Sequence, residues 1–218
     1  MHGKRAIIIS AMVILLFSTS VLSAASSPIA QLQVTVDKII EILRNHDLSE
    51  EAVLETVGTL VRQKFDFRAM SQRTLGVHWK NGTEKQQDRF VELFSQLLED
   101  TYRGRIQAYT YNDEYVKYVD ERILGTRAEV KTIVVLADRE IPVNYRVRLK
   151  GSEWLIYDVV IEEVSLVSNY RNTYGQIIQK EGFDVLLSRM EERIQQLQAN
   201  PQSGAEPAPK AKQSNGQR

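Results

Sequence analysis

Apolar positions recur with two different periods along this chain. Up to Tyr102 they fall at offsets of three and four, from Tyr115 to Ile161 they alternate, and after Ser165 the helical spacing returns. The first helical stripe is Leu32, Val36, Ile39, Ile40 and Leu43, ending near Asn45. Asp47 with Glu50 three residues later predicts a capping box for a second helix carrying Val53, Leu54, Val57, Leu60, Val61 and Phe65. Gly58 within that helix costs about 1 kcal/mol relative to alanine. Asp66 is placed to cap a short helix through Met70 and Leu75, which Gly76 ends. Thr83 and Gln86 repeat the capping-box spacing ahead of the longest helix, with Phe90, Val91, Phe94, Leu97, Leu98, Thr101 and Tyr102 on one side.

Four strands are expected next, at Tyr115–Val119, Ala128–Ala137, Val143–Leu149 and Trp154–Ile161. Their connections are too short for crossovers, so neighbours must be antiparallel and the sheet a meander. In the third strand Val143, Tyr145, Val147 and Leu149 oppose Asn144, Arg146, Arg148 and Lys150, giving one apolar and one wet face. The fourth strand alternates Leu155, Tyr157, Val159 and Ile161 with Trp154, Ile156, Asp158 and Val160. It runs straight into a helix that Ser165 caps and that carries Leu166, Val167, Tyr170, Tyr174, Ile177 and Ile178. Gly182 separates a last helix with Phe183, Leu186, Leu187, Met190, Ile194 and Leu197. The fold class is α+β: N-terminal helices, a four-stranded antiparallel twisted sheet, and C-terminal helices packed on it.

The ends of the chain differ from this middle. Lys4 and Arg5 precede an apolar run from Ala6 to Phe17 and small residues at Ser23, Ala24 and Ala25, the order of a secretory signal peptide cleaved after Ala25. The alternative, a membrane anchor, needs about 20 apolar residues. The stretch from Ala199 onward is rich in Pro, Gln, Ser and Lys, with no large apolar residue, and is expected to be a disordered tail. The organisation is therefore 1–25 signal peptide, 26–198 domain and 199–218 tail. About 170 residues suffice for one core without covalent staples. Of 28 basic residues only Lys4 and Arg5 leave with the signal, so 26 basic face 28 acidic groups, which gives no electrostatic footprint for nucleic acid.

Reactive groups are scarce. The chain has no cysteine, and only His46 and His78 lie beyond the signal, so no metal-ligand spacing exists. Ser165, His78 and Asp158 lack the local context of a nucleophile elbow, and a capping serine with a solvated histidine explains the same residues. Glu162 and Glu163 are adjacent, which on a strand turns them to opposite faces. Aromatic and aliphatic residues are the prominent resource. They make either an ordinary core or an apolar cavity between helices and sheet, with tyrosines suited to its mouth.

Three stretches resemble a known family: FDFRAMSQRTLGVHWK (65–80), EKQQDRFVELFSQLLEDTYRGRI (84–106) and WLIYDVVIEEVSLVSNYRNTY (154–174) are similar to the MlaC, or toluene-tolerance, family. The likeness extends from Val34 to Leu197. It implies a soluble periplasmic phospholipid-binding protein that shuttles lipid between an outer-membrane lipoprotein–porin complex and an inner-membrane ABC transporter with a substrate-binding ring, maintaining outer-membrane asymmetry. The acyl chains would lie between sheet and helices, with no other cofactor. By the resemblance, Tyr102 is a pocket tyrosine, Val164 a pocket valine, and Asn144 stands at a partner-docking position often basic in relatives. Relatives commonly have glycine where this chain has Glu163. Facing geometry adds Phe94, Leu98, Val147, Tyr157 and Val159 to the lipid-binding set. Two other functions remain open on the sequence: an enzyme on a related cone-shaped α+β fold with His78 as base, and a periplasmic lipoprotein chaperone.

Overall fold

The computed structural model describes residues 26–108 and 114–200. The signal-peptide segment 1–25 and residues 201–218 of the expected tail lie outside that range; Ala199 still belongs to the last helix and Asn200 caps it. Helices α1 (Pro28–Leu43), α2 (Glu50–Lys64), α3 (Phe67–Leu75) and α4 (Glu84–Ala108) come first, with a 3-10 turn at Gly76–Asn81 between the last two. Strands β1 (Tyr115–Leu124), β2 (Arg127–Val135), β3 (Glu140–Lys150), β4 (Glu153–Ile161) and β5 (Val164–Ser165) follow, then α5 (Leu166–Glu181) and α6 (Phe183–Ala199).

Most helix starts are written locally. Asp66 Oδ1 accepts from the Ala69 amide at 2.9 Å. The Thr83–Gln86 box closes in both directions: the Thr83 amide donates to Gln86 Oε1 at 2.9 Å, and the Gln86 amide donates to Thr83 Oγ1 at 3.3 Å. The start of α2 departs from expectation. Its cap is Ser49, whose hydroxyl accepts from the Ala52 amide at 3.3 Å. Asp47 stays in the preceding turn, where its amide donates to Asn45 Oδ1. Ser49 directly precedes the first helical residue in an extended conformation, so its side chain reaches the orphan amides that Asp47 cannot.

The sheet is antiparallel throughout, in the order β1-β2-β3-β4-β5. The fifth strand is an addition to the four expected: two residues that fold back on β4 through Glu162 and Glu163. Both turn residues have positive φ, 47° and 69°, so they form the tight two-residue hairpin that ordinarily takes Asn-Gly. They lie just past the expected end of the fourth strand at Ile161, as the turn between β4 and β5. Glycine avoids the Cβ clash at these angles, and glutamate does not.

A β-bulge alters which face β4 presents. Arg146 pairs with Asp158, but the next residue, Val147, pairs with Ile156, leaving Tyr157 as the extra residue. Strict alternation would group Val159 and Ile161 with Tyr157. The bulge instead joins them to Trp154 and Ile156 on the face shared with Val130, Val143 and Val147. Tyr157 turns to the opposite face, toward the core built by α3, α4, α5 and α6. In that core Phe90, Phe94, Tyr170 and Tyr174 meet edge-on, stacked or tilted, with centroids 5.3–6.3 Å apart.

The strand–helix corner is tied by Asp158. Its carboxylate is buried and accepts from Arg146 Nη1 at 2.9 Å, Ser165 Oγ at 2.7 Å and the Val167 amide at 3.2 Å. Ser165 Oγ in turn accepts from the Ser168 amide at 3.1 Å, so one carboxylate fixes β3, β5 and the first turn of α5.

Candidate functional site

Helix α2 stands off the apolar face of the sheet. Of its residues only Val57 is buried, although Leu54, Val57 and Val61 all face inward. The space beneath is a cavity of about 310 Å³. Leu54, Val57, Gly58 and Val61 form its roof. Val143 and Tyr145 of β3 with Val159 and Ile161 of β4 form its floor, and Leu98 and Tyr102 of α4 one wall. Phe65, Phe67 and Leu166 complete the enclosure.

Its polar groups are few. The Tyr145 phenol is pushed up to about 12 by burial, with a bond to Thr132 acting the other way, so it stays a neutral hydroxyl at the cavity floor. Glu99 and Arg103 are the charged lining residues. The Glu99 pKa is raised, chiefly by burial, against the lowering effect of the Arg62 guanidinium bonded to it. No group of three or more His, Asp or Glu that could hold a metal gathers among the described residues. An apolar chamber with a neutral phenol and a charged rim suits an aliphatic guest with a polar end.

Of the residues singled out by sequence, Leu98, Tyr102 and Val159 line this cavity. Phe94 does not: it is fully buried in the helical core, stacked on Phe90 and edge-on to Tyr170. Tyr157 is carried to the other face by the bulge and lies under the Arg73 guanidinium, 4.0 Å from its ring centre. Val147 points to the right face but is packed within the sheet core beside Ile156 and is not part of the wall. Val164, in β5, is 39% exposed and outside the cavity. Asn144 is half-buried on the opposite face, in register with Lys131 and Val160. His78 sits on the exposed 3-10 turn beside Gly175, away from Ser165 and Asp158, whose bonds to one another are those of a cap.

Sequence reasoning missed the roof. The stripe Leu54, Val57 and Val61 was visible, but an amphipathic helix over a filled core gives the same pattern. It also missed Tyr145 and Ile161, although once Val159 is placed inward, period 2 along β4 brings Ile161 with it.

Comparison with known proteins bears on what this chamber holds. The family model described as MlaC protein matches residues 33–192. A Haemophilus influenzae protein named intermembrane phospholipid transport system binding protein MlaC is 23% identical over 184 residues, covering 79% of this chain and 85% of that one. A solved structure of a phospholipid-binding protein from Ralstonia solanacearum, in complex with a phospholipid, is similar with a TM-score of 0.69 and 27% identity, covering 78% of this chain and 97% of that chain. With a match over most of its length and an α+β fold to go with it, this chain belongs to the MlaC family.

Proposed function

We propose that this protein is a periplasmic phospholipid carrier, not an enzyme, that moves lipid between outer-membrane and inner-membrane complexes and so maintains outer-membrane asymmetry. The observation that carries this reading is the apolar chamber between α2 and the sheet. Family membership and the phospholipid held by the Ralstonia solanacearum relative support it. Two acyl chains contain about 30 methylenes, and exposing them to water costs roughly 25 kcal/mol at about 0.8 each. Moving them from bilayer to apolar chamber exchanges one hydrocarbon surrounding for another, so loading is close to balanced and partners set its direction. The partners are a lipoprotein–porin complex on one side and an ABC transporter with a substrate-binding ring on the other, and Asn144 with Lys131 belongs to the docking surface.

The chamber accounts for only part of such a lipid. At about 310 Å³ the chamber stands at the low end of the roughly 300–1,000 Å³ range of ligand cavities, small for two acyl chains. Loading therefore lifts α2 from the sheet. Few buried contacts hold it down, since Val57 is its one buried residue.

Tyr102→Asp tests the reading. A carboxylate against the acyl chains is expected to empty the chamber, because a charge in hydrocarbon must be neutralised or rehydrated. Bound lipid, extracted and quantified, should fall several-fold while the circular dichroism spectrum is retained. Undiminished lipid in a folded variant would remove Tyr102 from the site. An acylated protein in the extract, in place of diacyl lipid, would favour a lipoprotein chaperone.

A further inference from the structure

The open end of the chamber is charged, and its charges are paired in a particular way. Glu99 and Arg103 lie four residues apart on α4 and therefore on one face. Arg62 reaches across from α2, with Nη1 2.8 Å from Glu99 Oε2 and Nη2 3.2 Å from Thr59 Oγ1. Gly58 leaves room for this: a Cβ there would lie 3.2 Å from Arg62 Nη1, tighter than ordinary van der Waals contact. Arg103 is 3.3 Å from Asp100 Oδ1, and Asp100 Oδ2 accepts from Gln198 Nε2 at 3.1 Å, so that second pair is already satisfied. Glu99 and Arg103 are thus the charged groups of the chamber lining, and Arg62 stands behind Glu99 as its partner from α2.

We infer that the Arg62–Glu99 pair reads the lipid head group, favouring head groups that carry both a phosphate and a primary ammonium over anionic ones. This inference rests on the carrier reading above. When acyl chains fill the chamber, the glycerol phosphate comes to the rim, where the pair bridges α2 and α4. Arg62 turns from Glu99 to the phosphate, a fork-like match that guanidinium makes well. Glu99 then accepts from the ammonium of the same lipid, so one ion pair is exchanged for two.

An anionic, hydroxyl-bearing head group takes Arg62 equally well but offers Glu99 no cation. The Glu99 side chain is only 22% exposed, against 49% for Arg62, so the carboxylate suffers more from losing its partner. It is left close to a phosphate of its own sign. The direction of its pKa agrees: it is raised, by burial first and by the neighbouring Asp100 charge, against the lowering pull of Arg62 and Arg103.

The test loads the purified protein from vesicles of phosphatidylethanolamine and phosphatidylglycerol in equal amounts, then quantifies protein-bound lipid by mass spectrometry. The wild type is expected to enrich phosphatidylethanolamine roughly three- to ten-fold, the worth of one charge-assisted hydrogen bond at a half-exposed site. Glu99→Gln, which keeps the shape and removes the charge, should bring the ratio back toward one. Lipid bound in the wild type without preference, or a preference that survives Glu99→Gln, would overturn the inference while leaving the carrier reading intact. A wild type that takes up neither lipid would overturn both.

Discussion

Replacing Asp158 with alanine removes the carboxylate on which the sheet–helix corner is built, and the structure sets the size of the loss. Three groups donate to that carboxylate, and they are not equal. Arg146 is 41% exposed, so it returns to water and its share is small. The Ser165 hydroxyl and the Val167 amide are in a different position: the amide is one of the orphan donors at the start of α5, and with alanine in place it has no acceptor in the buried corner. Hydrogen bonds to a buried charge contribute about 1.5–3 kcal/mol each, and discounting the arginine leaves about 3–6 kcal/mol. For a domain of this size that is a fall in Tm of roughly 6–24 °C. Urea unfolding followed by circular dichroism should place the Asp158→Ala midpoint lower by that free energy divided by the slope, with the slope unchanged. Arg146→Ala should cost less than about 1 kcal/mol. A loss under 1 kcal/mol for Asp158→Ala, or an equal loss for both variants, would refute the reasoning that this carboxylate organises the corner. Because Leu166 begins α5 and also lines the chamber, Asp158→Ala should also weaken lipid retention.

The Glu162–Glu163 turn should be improvable. Left-handed backbone costs a residue with a Cβ about 1–2 kcal/mol, glycine's greater freedom in the unfolded chain returns about 0.5–1, and Glu163→Gly is thus expected to stabilise by about 0.5–1 kcal/mol in urea unfolding. A destabilised Glu163→Gly would mean the turn is not under strain. Glu99 should leave a pH signature. Its folded pKa is raised above the ordinary carboxylate value of 4.5, so its favourable contribution is complete below that value and is lost as pH rises through the elevated one. Glu99→Gln should flatten stability over that acid-to-neutral window, and a variant whose pH–stability curve overlays the wild type would show the burial effect to be absent. Enlarging Leu54 to tryptophan on the roof should reduce lipid loading several-fold from vesicles, since the added ring occupies chamber volume. Loading equal to wild type would mean the chains do not pass beneath α2.

Much of the fold was legible because local chemistry and pattern agree. The Thr83–Gln86 box, the Asp66 and Ser165 caps, and the clean alternation of β3 each state a boundary or a face within a few residues. The site was less legible, for two physical reasons. A bulge is a one-residue insertion with no compositional mark, and at Tyr157 it reverses the face of everything before it relative to everything after. Period 2 therefore placed Tyr157 and Val159 together although the structure separates them. The second reason is that a stripe of apolar residues looks the same over a filled core and over a chamber. Phe94 and Leu98 are one helical turn apart on α4, yet Phe94 closes the aromatic core and Leu98 lines the chamber. That difference lies in what packs over each residue, Phe90 and Tyr170 over Phe94 and the chamber over Leu98, which no spacing within α4 encodes.

Everything functional depends on the chamber beneath α2 holding lipid chains. Native mass spectrometry of the protein purified from its own cells without detergent weighs this directly. The expected spectrum has a major species heavier than the polypeptide by one diacyl phospholipid, released on collisional activation. A spectrum of the bare polypeptide alone, unchanged after incubation with phospholipid vesicles, would contradict it.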